Sequence, residues 1–317
     1  MIRLLAFLGG HAPLVLFAGV FIGLLLPGLA AFCRPLLTPA VALLLLTTLL
    51  RVDWDAIAGY LRRPLLTALL TAWMLVATPI ATWALLAPAG LPDALSTGVV
   101  LMAAAPPILS AAAIAIVLGL DPALAVVVGL ASTLLAPVTL PPLALELLGL
   151  ELEIGAGELM LRLGLVVGSA FLGAILARRI LGQDRLSRGA RTLDGTIVLL
   201  MLVFAVAIMD GVAETLAARP KDVALWLGVA FVANPALQLL GALAFAWLGL
   251  RRALTIGILS GNCNMGLILA AMPPGSDADV ALYFAVAQLP MYMLPALLLP
   301  LYRRLLERAA TAPVSRS

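Results

Sequence analysis

"STGVVLMAAAPPILSAAAIAIVLGL", Ser96–Leu120, is an uncharged run of membrane-spanning length with two adjacent prolines near its centre. Proline has no N–H to donate, and its ring clashes with the preceding turn. The run therefore predicts a broken helix, with carbonyls one turn upstream of Pro106 and Pro107 left free. In a bilayer such backbone persists only inside protein or beside a water-filled cavity. A second stretch raises the same issue. "SGNCNMGLILA", Ser260–Ala270, places Asn262 and Asn264 around Cys263, between Gly261 and Gly266, in an equally apolar setting.

The composition explains why both stretches are read as lying in a membrane. The chain has 317 residues, 64% of them hydrophobic, and a mean hydropathy of +1.17. Only 11% are charged, against roughly 25% in soluble domains. The pattern predicts an all-α polytopic membrane protein. Net charge +3 and a pI near 9.2 give no indication of nucleic acid as a partner; they reflect where the arginines lie. Cys33 and Cys263 are far apart in apolar surroundings, which predicts no structural disulfide. The first 32 residues resemble a signal peptide in outline, but the uncharged run Ala12–Ala31 is long enough to be a retained first span.

About twenty apolar residues cross the hydrocarbon core, and runs bounded by charge, proline or glycine suggest ten spans. They lie near 12–31, 35–50, 64–88, 95–118, 122–148, 158–181, 193–213, 222–248, 252–272 and 278–302. Ten spans put both termini on one side, and this assignment gives that side 15 of the 19 basic residues. Arg34, Arg162, Arg219 and Lys221 fall on the other. The asymmetry predicts cytoplasmic termini; the expected location is the bacterial plasma (inner) membrane, with multiple passes.

The halves echo one another. "LRVDWDAIAGYLRRP" (Leu50–Pro64) and "AIMDGVAETLAARP" (Ala207–Pro220) share an acid, a spacer and a basic-proline end. A similar offset carries Pro106-Pro107 onto Gly261-Asn262. Five spans per copy is an odd number, so the copies insert upside down, and interrupted helices at matched places mark secondary transporters. The boundary divides the chain into repeats 1–150 and 151–317. If spans four and nine break and cross, their half-helix ends meet near the midplane and offer partial charges to an anion and a cation. Candidate substrate-binding residues are those at the breaks: Pro106, Pro107, Ser110, Gly261, Asn262, Cys263 and Asn264. The structural alternative is that the prolines merely kink a helix and the asparagines bond a neighbour.

The chain resembles the bile acid:sodium symporter family, within a superfamily that includes arsenite and auxin efflux carriers. The resemblance covers nearly the whole chain. It rests on "LLRVDWDAIAGYLRRP", on Pro106 followed by "GLDPALAV" and "STLLAPVTLPPL" (Ser132–Leu143), and on Gly261-x-x-Asn264-x-Gly266-Leu267. It implies a core domain of helices 3–5 and 8–10, with helices 4 and 9 crossed, moving against a panel of helices 1, 2, 6 and 7. It also places Gln288 near the substrate. Members coupled to sodium carry a Ser-Asn pair where this chain has Ala111-Ala112, and hydroxyl residues where it has Ala125 and Gly129. Their helix 9 acid aligns with Leu259, their helix 9 glutamine with Cys263, and a helix 3 glutamine falls near Met74. The implied function is secondary transport of a small organic anion, with no cofactor and without the usual sodium ligands.

Other chemistries find few residues. Glu146, Asp194 and Asp210 fall near span ends, so no mid-span carboxylate offers itself as a proton carrier. His11 is the only histidine, which excludes a histidine-based zinc site or triad and argues against a membrane-embedded enzyme. Cys263 is either a soft ligand, as for arsenite, or a small buried hydrophobe. Asp121 reads as the cap of the fifth span, with Pro122 at its first turn. Asn234 and Gln238 share a helix face. Two alternatives to an organic-anion carrier stand: an arsenite- or auxin-type efflux carrier, and a sensor or scaffold that keeps the fold without transport.

Overall fold

A computed structural model of the chain describes residues 12–52, 60, 63–148, 155–272 and 277–311. Regular structure among them is helical throughout. Helix α1 (Ala12–Leu25) is followed by α2 (Pro27–Cys33), a 3-10 turn (Arg34–Leu36) and α3 (Leu37–Arg51). A third apolar stretch comprises α4 (Pro64–Ala72), a π-helical turn (Trp73–Ala77) and α5 (Thr78–Leu86). Then come α6 (Asp93–Ala104), α7 (Ala111–Val117) and α8 (Pro122–Leu148). The remainder is α9 (Ala156–Leu181), α10 (Gln183–Arg188), α11 (Ala190–Ala207), α12 (Val212–Ala218), α13 (Pro220–Ala244), α14 (Leu250–Gly261), α15 (Met265–Ala271) and α16 (Ala278–Thr311).

Among the described residues, seven helical stretches are long and apolar enough to cross a membrane: Pro27–Arg51, Pro64–Ala89, Pro122–Leu148, Ala156–Leu181, Ala190–Ala218, Pro220–Ala244 and Ala278–Ala309. Their outer faces remain apolar in the fold. Leu65 is 86% exposed and Ile180 77%, a cost in water of about 25 cal/mol per Å² that lipid removes. The protein is thus an all-helical, multi-pass membrane protein.

Two expected boundaries move. The first helix ends at Leu25, not near 31, because Pro27 cannot donate and instead opens α2 at its first turn. The expected span 193–213 is broken after Ala207, and Gly211 (φ 78) is the N-cap of α12. The echo at Leu50–Pro64 falls mostly on 53–59 and 61–62, which lie outside the described residues, as do Arg3, His11 and Arg316.

Small residues set the closest helix contacts. A Cβ on Gly257 of α14 would lie 2.4 Å from the Gln238 carbonyl oxygen of α13, and one on Gly241 would lie 2.3 Å from Ser260 Oγ. Without a hydrophobic driving force in lipid, such close backbone approach is what holds helices together. At one end of the bundle, Arg178 Nη2 donates to the carbonyls of Leu49, Leu50 and Val52, a basic cap on the end of α3.

Candidate functional site

The run Ser96–Leu120 is broken where its prolines stand. Helix α6 stops at Ala104, and Ala105 turns extended (ψ 144), the conformation favoured before a proline. Helix resumes at Ala111. The second break is equally sharp: α14 ends at Gly261 and α15 begins at Met265. The two breaks meet. Pro107 and Cys263 form an antiparallel bridge in which Ile108 N–H donates to the Asn262 carbonyl (2.9 Å) and Asn264 N–H to the Pro106 carbonyl (2.7 Å). Each interruption supplies hydrogen bonds that the other lacks, which is how non-helical backbone is tolerated among membrane-length helices.

Beside the bridge lies a cavity of about 80 Å³. Four of the eight candidate residues line it: Ser110, Cys263, Asn264 and Gln288. Pro106, Pro107, Gly261 and Asn262 do not; they build the junction behind the wall. The other lining residues, among them Thr48 on α3, Met201 and Phe204 on α11, and Tyr292 on α16, are not among those candidates. These sit on separate helices with no local motif, so only the tertiary fold brings them together. No lining residue is charged.

The polar groups at the cavity are oriented by the fold. Asn264 is the N-cap of α15, and its Oδ1 accepts from Leu267 N–H (3.2 Å). That use of the oxygen leaves its Nδ2, among the described residues, with no acceptor. Gln288 Nε2 donates to the Phe284 carbonyl (3.2 Å), while its Oε1 is buried without a partner among the described residues. Gly266 has the Phe204 ring where a Cβ would be, at 2.7 Å, so the wall closes only around a glycine. The Cys263 thiol donates to the Ser260 carbonyl (3.3 Å) and is 2% exposed. Asn262 donates to Ile258 O (2.8 Å), and its Oδ1 has no partner among the described residues.

A separate hydrophobic cluster adjoins the junction. Met74, Ala111, Ala125 and Leu259 are all buried in one hydrophobic cluster, together with Ile256 and Val128. The π-helical turn aims Trp73 and Met74 at the second break: Trp73 Nε1 donates to Ser260 Oγ (3.2 Å), and that hydroxyl approaches Met74 Sδ at 3.7 Å. Single π-turns of this kind recur at functional sites. Asp121 caps α8 as its position predicts, accepting from Leu124 N–H at 3.1 Å, and also bonds the Tyr60 hydroxyl. Burial first, and then that bond, raise the Tyr60 phenol above its ordinary pKa.

The model of the sodium bile acid symporter family matches residues 38–219, more than half of the chain. The matched stretch contains the first break and ends before the second. No curated protein matches the chain. A helical membrane fold, a break at Pro106 and a family match that spans it agree: the chain belongs to the sodium bile acid symporter family and is a membrane transporter.

Proposed function

We propose that the protein is a secondary carrier for a small organic anion, working by alternating access at the junction of the two breaks. The observation that carries the reading is the unpaired Asn264 Nδ2 in the wall of a polar-tipped cavity, held there because the same side chain's oxygen caps α15. Ser110 supplies a hydroxyl beside it. Neutral donors in a water-poor site suit a carboxylate, since a hydrogen bond to a charged group is worth about 1.5–3 kcal/mol. Met201, Phe204 and Met265 offer an apolar surface for the rest of the molecule.

In this reading the chain has ten spans, two of them the interrupted pairs α6–α7 and α14–α15, arranged as inverted repeats 1–150 and 151–317. Helices α3 and α11 belong to the panel, and the breaks with α16 belong to the core, so the cavity lies on the surface where the two would slide. Both termini face the cytoplasm of a bacterial inner membrane. Transport is independent of sodium: the residues that align with sodium ligands elsewhere in the family form the apolar cluster of Met74, Ala111, Ala125 and Leu259. A cation there would find no side-chain oxygen on those four residues, and an uncompensated buried charge is costly.

Proteoliposomes carrying the purified protein test this with a panel of small radiolabelled carboxylates, under sodium and proton gradients imposed separately. Saturable uptake that Asn264→Ala removes is expected, with no stimulation by sodium. Absence of uptake for every compound and gradient, by a protein that remains folded, favours the scaffold reading.

A further inference from the structure

A helix that ends within a bilayer leaves carbonyls that need a donor, a water or a cation. The Gly261 carbonyl, last in α14, takes its donor from a different helix. Asn234 Nδ2 of α13 donates to it at 2.6 Å. Asn234 Oδ1 accepts from Gln238 Nε2 (2.6 Å), and Gln238 Oε1 accepts from the Tyr302 hydroxyl of α16 (3.0 Å). All three side chains are buried.

The order of these bonds has a direction. The Gly261 carbonyl can only accept, so Asn234 turns its nitrogen to it and its oxygen to Gln238 Nε2, and Gln238 Oε1 is left to accept from the Tyr302 hydroxyl. An amide flip at either position would set two acceptors or two donors against each other. The backbones are also as close as they can come: a Cβ on Gly261 would stand 2.6 Å from the Asn234 carbonyl and 2.5 Å from Gln238 Cγ. None of the three side chains lines the cavity.

We infer that Asn234, oriented by Gln238 and Tyr302, is a positioning residue of the transport site. Its amide holds the Gly261 carbonyl in place of a bound cation. The Asn262–Asn264 segment, whose backbone bridges to Pro106 and Ile108, is thereby fixed before any ligand arrives. The inference rests on reading the cavity as the transport site, but its effect on the break is measurable without a substrate.

Hydrogen exchange on the full-length protein in nanodiscs, in sodium chloride and in choline chloride at equal ionic strength, provides the test. Asn234→Ala is expected to speed exchange of the Ile108 and Asn264 amides roughly tenfold, and Tyr302→Phe roughly threefold, with α9 unchanged in both. Wild-type rates at the break are expected to be equal in the two salts. Unchanged exchange at the break in both variants overturns the proposal. So does an increase that spreads equally to α9, which marks general loosening, or wild-type protection that needs sodium. Tyr302→Phe removes one hydroxyl and keeps the ring, so it reports even if Asn234→Ala does not fold. Failure of uptake with a protected break would instead refute the transport reading alone.

Discussion

The two breaks do the same geometric job with opposite chemistry. The first, Ala105 to Ser110, has no polar side chain before Ser110 and owes its form to two residues that cannot donate. The second, Asn262 to Asn264, has no proline, and each of its residues has an N–H. It stays open because tertiary partners hold it: Asn234 on the Gly261 carbonyl, the bridge to Pro106 and Ile108, and the Asn264 cap on α15. A proline break arises by subtraction, whereas a glycine–asparagine break depends on what surrounds it. The site's oriented polar groups cluster on the second side for the same reason, since the residues that hold a break open can also present atoms to a ligand.

The comparison is most exposed at Gly261. Gly261→Leu drives a side chain into the Asn234 carbonyl and Gln238 Cγ, with an expected cost of about 3 kcal/mol or more. Thermal unfolding in detergent should show little folded variant; a wild-type midpoint would mean that the close packing of α13 on α14 does not hold the break. Asn264→Ala comes next. It should lower kcat/KM for any transported carboxylate roughly tenfold or more, and loss of the cap should cost about 1 kcal/mol of stability. Full uptake by this variant would remove Asn264 from the site.

At the first break the expected effect is smaller. Pro106→Ala leaves Pro107 to interrupt the helix and leaves residue 106's carbonyl to accept from Asn264, so stability should stay within about 1 kcal/mol of wild type, the size of a proline's effect on the unfolded chain. A structure of this variant with one continuous helix from Asp93 to Val117 would show that a single proline does not suffice. The smallest effect is expected from the medium. Replacing sodium by choline at fixed ionic strength and pH should move the wild-type unfolding midpoint by less than about 1 °C, because an ion that does not bind the native state adds no stability. A steep, saturable sodium dependence would show that carbonyls at the junction hold a cation unaided.

Much of this protein can be read from residue order. The hydropathy of Pro122–Leu148 or Pro220–Ala244 declares a helix in lipid before any packing is known, because the bilayer penalises every unpaired backbone group. Pro106-Pro107 declares an interruption for a similarly local reason, and Asp121-Pro122 declares a helix start. Even Asn264 is legible, as a polar residue between glycines where no charge is near.

What only the tertiary structure decided begins with the atoms that join the two breaks. Nothing in Ser96–Leu120 names Asn262 or Asn264 as the residues that bond its free backbone. The π-helical turn at Trp73–Ala77, which points Trp73 and Met74 at Ser260, leaves no sequence signal. The division of the eight candidates also had to be seen: Ser110, Cys263, Asn264 and Gln288 reach the cavity, while Pro106, Pro107, Gly261 and Asn262 form the joint behind it. Local sequence sets where a chain must stop being a helix, because that depends on a residue's own donor and ring. Where the freed groups turn depends on atoms brought close by folding, such as an amide on α13 lying 2.6 Å from a carbonyl on α14, and no local pattern encodes that distance.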